Sequence, residues 1–280
     1  MVFFGAHPDD ETFGLGGTLA RYALAGVKVY YVCATRGEAG AVDAHHMAGH
    51  DSVAGLRTSE LECAARSLGL VGVIYLGYRD SGMPGSPDNA HPDALMAAPV
   101  ARVAEKMVEV IRRLRPDVVI THDSGGGYGH PDHIAVHNAA VMAFYAAADP
   151  AAYPQTGPAF KPARLYFIIH PHRYMKLALR LMPLLGQDPR RFGRNKDIDL
   201  TRMMAADYPV HAVIRISKRA AQMRNEAFAC HASQGGGRPG AAAFRIFALL
   251  ENLGEPRDYF MRAYPPPDKK SEKDLFEGLR

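Results

Sequence analysis

Residues 2–25 read VFFGAHPDDETFGLGGTLARYALA, and the reading of this stretch decides the fold. An apolar run, Val2–Ala6, breaks into a loop dense in His, Pro and Asp. A helical stretch over Thr12–Ala25 follows, with Gly26 placed to close it. Strand, loop and helix in that order open a βαβ unit, and the pattern recurs downstream. Val27–Thr35 is a second strand, and a helix runs from about Leu56 with Leu61, Ala64, Ala65 and Leu68 on one face. Val73–Leu76 is a short strand. Val100, Val103, Met107, Val110, Ile111 and Leu114 then recur at the spacing of a core-facing helix, which Pro116 ends. Asp117–Thr121 and Leu165–Ile169 are further strands, with a helix over His133–Ala148 between them. Beyond these, His211–Ile216 reads as a strand, Ser217 caps a helix to about Ala232, and Ala241–Asn252 is helical. The expected fold class is α/β: a three-layer, Rossmann-like arrangement on a mainly parallel sheet with a C-terminal elaboration, forming one domain over 1–280. Residues 171–209 form a basic insertion-like segment, and 265–280 read as a flexible tail.

Composition narrows the class. The chain has 280 residues, 48% hydrophobic and 22% charged, which excludes a disordered or fibrous protein. No apolar run approaches the ~18 residues of a membrane span, so no transmembrane segment is expected. The N-terminus carries no charged region ahead of its apolar stretch and no cleavage site, unlike a signal peptide. Cys33, Cys63 and Cys230 are far apart and odd in number. They give no disulfide framework and point to a reducing compartment, hence a cytoplasmic location. A net charge of +4 is too small to call for a nucleic-acid partner. The charge is uneven, with eight Lys/Arg against three Asp between His172 and Arg202.

In open parallel sheets, ligands bind beyond the C-terminal ends of the strands. Two loops at such ends are crowded with metal-type donors. The first is Ala6-His7-Pro8-Asp9-Asp10-Glu11. The second begins His122-Asp123 and ends Gly125-Gly126-Gly127-Tyr128-Gly129-His130-Pro131-Asp132-His133. Both contain His-Pro-Asp, and proline stiffens each loop so that its side chains converge at little ordering cost. One such tripeptide is ordinary turn chemistry; two, each at a strand end, favour a metal site. A catalytic zinc typically takes three His or carboxylate ligands and keeps a position for water. The first loop can supply His7 and Asp10 with Asp9 left free, and the second can supply His133 with His130 left free. Three ligands, a spare carboxylate to deprotonate water and a spare imidazole for the carbonyl or leaving group match metal-assisted hydrolysis.

With these motifs the chain resembles the zinc-dependent deacetylases of the PIG-L/LmbE type, which remove acetyl from N-acetylglucosaminyl conjugates. Further motifs carry the likeness: Arg57-Thr-Ser-Glu60-Leu-Glu-Cys-Ala64, Arg79-Asp80-Ser81-Gly82-Met83, and Cys230-His231-Ala232-Ser233-Gln234. Together they cover about Val2 to Gln234 in the family's order. The resemblance implies that His7, Asp10 and His133 bind Zn2+, with Fe2+ as the other candidate. It implies that Asp9 is the base activating the zinc-bound water for attack on the amide carbonyl. His130 would stabilise the oxyanion or protonate the leaving amine, Asp132 would hold the His130 ring, and Tyr128 would reach the tetrahedral intermediate. Arg57 and Asp80 would grip sugar hydroxyls. The implied partner is an N-acetylated amino-sugar small molecule.

Other features carry less. His45, His46 and His50 lie in a Gly/Ala-rich loop and read as loop histidines near the site, placed for a lid or a substrate contact. Gly14-Leu15-Gly16-Gly17 lacks the dinucleotide spacing and fits close helix–sheet packing. In 173–185, Tyr174, Leu177, Ala178, Leu181 and Leu185 share one helical face, while Arg173, Lys176 and Arg180 line another. Such a helix suits the wall of a substrate pocket or a contact in a homo-oligomer. Three other functions fit parts of the pattern. They are an amidase of larger thiol-sugar conjugates, a non-catalytic carbohydrate-binding protein, and a lipid or nucleic-acid binder working through the basic segment.

Overall fold

The computed structural model describes residues 1–170, 172–192, 196, 198–236, 256–268 and 271–279. Its sheet has seven strands in the order β3-β2-β1-β4-β5-β7-β6. Strands β1 (Val2–Gly5), β2 (Tyr30–Cys33), β3 (Gly72–Tyr75), β4 (Val118–Thr121) and β5 (Arg164–Ile169) are mutually parallel. Strand β1 is buried on both faces, and its side chains alternate between two cores. Phe3 packs with Tyr31, Ile120, Leu19 and Leu61 on one side, and Val2 and Phe4 pack with Val119, Met107, Ile111 and Val136 on the other. The first core lies under helices α2 (Gly16–Leu24), α3 (Val53–Leu68) and α7 (Lys218–Cys230), the second under α4 (Val100–Leu114) and α5 (Pro131–Ala146), and α6 (His172–Leu181) follows β5 in the basic segment. This is the three-layer α/β arrangement expected from the alternating pattern.

The helix expected over Thr12–Ala25 is two helices, α1 (Asp10–Phe13) and α2, with the break at Gly14–Leu15. At Gly17 the helix approaches the sheet so closely that a Cβ would stand 2.9 Å from Ile216, which accounts for that glycine without a nucleotide. Helix α3 begins where the Ser52 hydroxyl accepts from the Gly55 N–H (3.1 Å) and ends at Gly69 in the left-handed region.

Three further expectations change. First, Arg257–Tyr264 forms strand β7, which lies between β5 and β6 (Ala212–Arg215) and runs antiparallel to both. Its Arg and Asp residues mask the strand signal, although Phe260 and Arg262 are buried. Second, the chain after Pro265 is not a loose tail over its described residues. Leu275 is 0% exposed, Phe276 packs on Tyr22, and Glu272 accepts from the Tyr166 hydroxyl (2.8 Å) and pairs with Arg164 and Arg262. Two buried apolar residues and one buried acid anchor a segment whose mean composition is polar. Third, Cys63 and Cys230 are joined by a disulfide, and Cys33 is the free, buried thiol. The packing of α3 on α7 brings the pair to a Cα–Cα distance of 5.8 Å across a separation of 167 residues, a proximity that spacing along the chain conceals. The helix expected over Ala241–Asn252 lies outside the described residues.

Closing so long a loop restricts the unfolded chain, an effect typically of about 2–4 kcal/mol. Reduction under native conditions is expected to lower Tm by about 5–10 °C. A scan that superimposes with and without reductant would show that the bridge contributes nothing.

Candidate metal centre and active site

The site is built at the C-terminal ends of β1 and β4, with contributions from the loop after β3 and from α3. After β1 the chain turns into α1, so that Asp10 points back under its own loop. Its Oδ2 accepts from the backbone N–H of Ala6 (2.7 Å), that of His7 (2.9 Å) and Nε2–H of His122 (3.2 Å). Three donors on one oxygen leave Oδ1 to face Nε2 of His133 at 3.3 Å. That same His133 nitrogen stands 3.3 Å from Nδ1 of His7. His7 turns its other nitrogen to Asp132 Oδ2 (3.2 Å) and Asp80 Oδ1 (3.4 Å), so the ring proton belongs on Nε2 and the Nδ1 lone pair faces His133. Two imidazole lone pairs and a carboxylate oxygen therefore meet around His133. That donor chemistry, with the far atoms of His7 and Asp10 tied down by a second layer, fits a divalent cation.

The convergence is tight but branched. His7, His130 and His133 form one compact group of donors, and Asp10, His122 and His133 form another. His133 is common to both. Burial would raise the Asp10 pKa, but His133 and His122 outweigh it and hold the carboxyl well below its usual range. Burial lowers His7, yet Asp80 and Asp132 overcome it and the net direction is upward.

Asp9 stands apart from the donors. It adopts φ +124°, ψ −25°, a conformation rare for any residue but glycine. Its Oδ2 accepts from Nη2 of Arg57 (2.9 Å), and no contact takes Oδ1 among the described residues. Burial lifts the Asp9 pKa to about 6 against the pull of Arg57. Arg57 reaches it from α3, also donating to Pro8 O (2.7 Å) and Gly37 O (3.1 Å). Gly37 leaves room for the guanidinium, since a Cβ there would lie 2.0 Å from Nη1. Removing this positive neighbour, as in Arg57→Gln, is expected to raise the Asp9 pKa. A base works only when deprotonated, so the acidic limb of the kcat/KM profile should move up by about 1–3 in pH. An unmoved limb would detach Asp9 from that ionisation.

His130 caps the N-terminus of α5, its Nδ1 accepting the Asp132 N–H at 3.2 Å. That bond places the ring proton on Nε2, and the ring lies beside those of His7 and His133, with centroids 4.5 and 5.1 Å away. Asp132 thus orients His130 through its backbone. Its carboxylate serves His7 and Ser81 instead, accepting the Ser81 N–H (2.9 Å) and the Ser81 hydroxyl. Burial, reinforced by His7 and His133, holds His130 well below the usual histidine pKa. Tyr128 packs edge-on to His133 with ring centroids 5.5 Å apart, and burial pushes its hydroxyl pKa up, so it stays a donor. The glycines before it are tied down by Asp123, which accepts from Gly125 (2.8 Å) and Gly127 (3.2 Å).

Arg57 and Asp80, read from the sequence as sugar contacts, are 4% and 3% exposed, and their polar contacts run inward to Asp9 and His7. His122 is the residue whose role the motifs did not show; its place directly after β4, level with Asp10, was the available signal. Outside this cluster, Asp43, His45 and His46 bring donor atoms together on a short 3-10 turn over Ala44–Met47.

A mainly parallel α/β sheet carrying His and Asp donors at its strand ends defines the class: an α/β protein with a candidate catalytic metal centre. Residues 2–144 match the PIG-L family, described as GlcNAc-PI de-N-acetylase, and the chain belongs to it. It is 36% identical, over all of this chain and 97% of the relative, to a 1D-myo-inositol 2-acetamido-2-deoxy-alpha-D-glucopyranoside deacetylase of Geodermatophilus obscurus. A protein of the same name from Rhodococcus erythropolis is 35% identical over 100% of this chain and 97% of its own. Among solved structures, the fold is similar to N,N'-diacetylchitobiose deacetylase from Pyrococcus horikoshii. That match has a TM-score of 0.62 and 20% identity, over 93% of this chain and 82% of that one.

Proposed function

We propose that this chain is a metal-dependent N-deacetylase that hydrolyses the acetamide of an N-acetylglucosamine conjugate, with the glucosaminyl-inositol compound named for its relatives as the first candidate. The observation that carries the chemistry is a carboxylate, Asp9, held beside a metal-type donor cluster without joining it. His7, Asp10 and His133 would hold the metal, proposed as zinc; iron(II) takes the same set of two imidazoles and a carboxylate with an open position. When bound there, the metal polarises the amide carbonyl and acidifies water.

The chain's own groups do the rest. Asp9 takes the proton of the attacking water on Oδ1, because Arg57 occupies Oδ2. Nε2–H of His130 and the Tyr128 hydroxyl donate to the developing oxyanion, a contact commonly worth about 3–4 kcal/mol per donor. Proton return to the leaving amine yields acetate and the free amino sugar. Arg57 and Asp80 act chiefly by holding Asp9 and His7, and meet the substrate only at the site's edge. The aglycone meets the 171–209 segment. Within it, the Tyr208 hydroxyl accepts from the Gly125 N–H (2.9 Å) and Arg202 packs on Gly129, so residues 202–208 overlie the glycine loop of the site.

The conjugate-amidase and carbohydrate-binder readings are not favoured: the relatives carry deacetylase names, and a binder has no use for a free carboxylate beside its donors. Among the described residues no helix is long and apolar enough to cross a membrane. A cytoplasmic location is part of this reading, and the Cys63–Cys230 bridge is the observation against it. Thiol trapping in fractionated cells decides it.

The test is acetate release from metal-assayed protein offered the glucosaminyl-inositol compound, N,N'-diacetylchitobiose and free N-acetylglucosamine. Release is expected to be fastest from the inositol conjugate. A fully metallated protein that releases acetate from none of them would overturn the deacetylase reading.

A further inference from the structure

The backbone of Asp9 is strained, and something must hold it. A φ of +124° at an L-residue is unfavourable and persists only where the surroundings over-determine it. The Asp9 carbonyl accepts from the N–H groups of Thr12 and Phe13, both at 2.9 Å, as the first turn of α1 requires. The Asp9 N–H would otherwise be an orphan at that helix end. It donates to Oε2 of Glu11 at 2.9 Å. Glu11 is 0% exposed, and its other oxygen, Oε1, accepts from the Thr12 hydroxyl (2.5 Å) and from Nε2 of His231 (2.7 Å).

His231 is also 0% exposed and comes from the far end of the chain, 220 residues after Glu11. It stands at the C-terminus of α7, directly after Cys230, whose bridge to Cys63 ties that end to α3. On its other side Ser233 donates its N–H (2.8 Å) and hydroxyl (2.7 Å) to Glu60, again on α3. Helix α3 also carries Arg57 to the Asp9 carboxylate. Two arms therefore leave one braced helix pair and converge on one residue: Arg57 holds the side chain, and His231 acts through Glu11 on the backbone. An isolated buried acid–imidazole pair is a weak source of stability, because the cost of desolvating it offsets the attraction. A pair kept at such a place invites a role beyond packing.

We propose that Glu11 and His231 are positioning residues for the base. Glu11 fixes Asp9 in its strained conformation through the Asp9 N–H, and the Nε2–H of His231 fixes Glu11. The proposal rests on the reading of Asp9 as the base. Without the pair, Asp9 relaxes to a negative φ, and its carboxylate swings away from the donor cluster while the donors remain, Asp10 held by the Ala6 and His7 N–H groups and His133 carried on α5.

The test compares His231→Ala, His231→Gln and His231→Asn, reading kcat, KM, bound metal per chain, Tm and a crystal structure of each variant. Glutamine can place an amide N–H where Nε2 sits, whereas asparagine is too short to reach Glu11. The Ala and Asn variants are expected to lose about 10–100-fold in kcat, with KM and bound metal within about twofold of wild type. Gln should recover most of the loss. In the crystal, Asp9 should leave φ +124° in Ala and Asn and keep it in Gln. Should the Ala variant not fold, the contrast of Gln with Asn carries the test. An Asn variant with wild-type kcat, an Asp9 backbone unchanged in the Asn crystal, or a kcat that falls only in step with bound metal would each overturn the proposal. Failure of the deacetylase reading itself would show as wild-type protein without acetate release, and the backbone readout is independent of that result.

Discussion

Replacing Asp9 by asparagine is expected to lower kcat/KM by about 10²–10⁴-fold while bound metal stays at the wild-type level. The amide keeps the size of the side chain and can still accept from Arg57, so the local packing survives. What disappears is a carboxylate whose Oδ2 is held by Arg57 and whose Oδ1 accepts no hydrogen bond among the described residues. Metal content separates this outcome from loss of the site, since Asp9 supplies no donor to either compact group around His133. The pH profile adds a second check. Burial sets the wild-type carboxyl at about 6 before any cation is counted, and a bound metal draws it lower. Activity should therefore rise with pH along an acidic limb at or below that value, and the residual activity of Asp9→Asn should lack the limb. An Asp9→Asn enzyme within tenfold of wild type would mean that another group takes the proton.

His133→Ala is expected to abolish metal binding and with it acetate release, and added zinc should not restore either. The reason is geometric. Nε2 of His133 is the atom on which the donors converge, 3.3 Å from His7 Nδ1 and 3.3 Å from Asp10 Oδ1. His122→Ala is expected to behave differently. His122 donates to the Asp10 oxygen that faces away from His133, and loss of such a supporting bond typically weakens metal affinity about 10–100-fold without destroying the site. Zinc titration after dialysis against a chelator measures both variants. Equal, complete loss in the two would instead make His122 a ligand, with the centre formed by Asp10, His122 and His133.

The donor inventory was legible because chemistry concentrates in two short loops. Each follows an apolar strand, each contains His-Pro-Asp, and strand ends in a parallel sheet face the same way. His7, Asp10, His133, Asp9 and His130 could be gathered from local order alone. Partners were less legible. Asp132 reads as the support for the His130 ring, yet its carboxylate serves His7 and Ser81, because the first turn of α5 aims it inward and leaves only its N–H for His130. Arg57 and Asp80 look like substrate contacts on motif grounds, but α3 and the loop after β3 bury them behind the residues they hold.

From the sequence by itself come the layer order, the parallel strands β1–β5 and the residues of the candidate metal cluster, since these depend on periodicity and on neighbours within a few positions. Only the tertiary structure decided β7, the anchored C-terminal segment, the Cys63–Cys230 bridge and the Glu11–His231 pair. Each of these joins residues from distant parts of the chain, and neither spacing nor composition encodes which distant surfaces meet when two helices pack on one sheet.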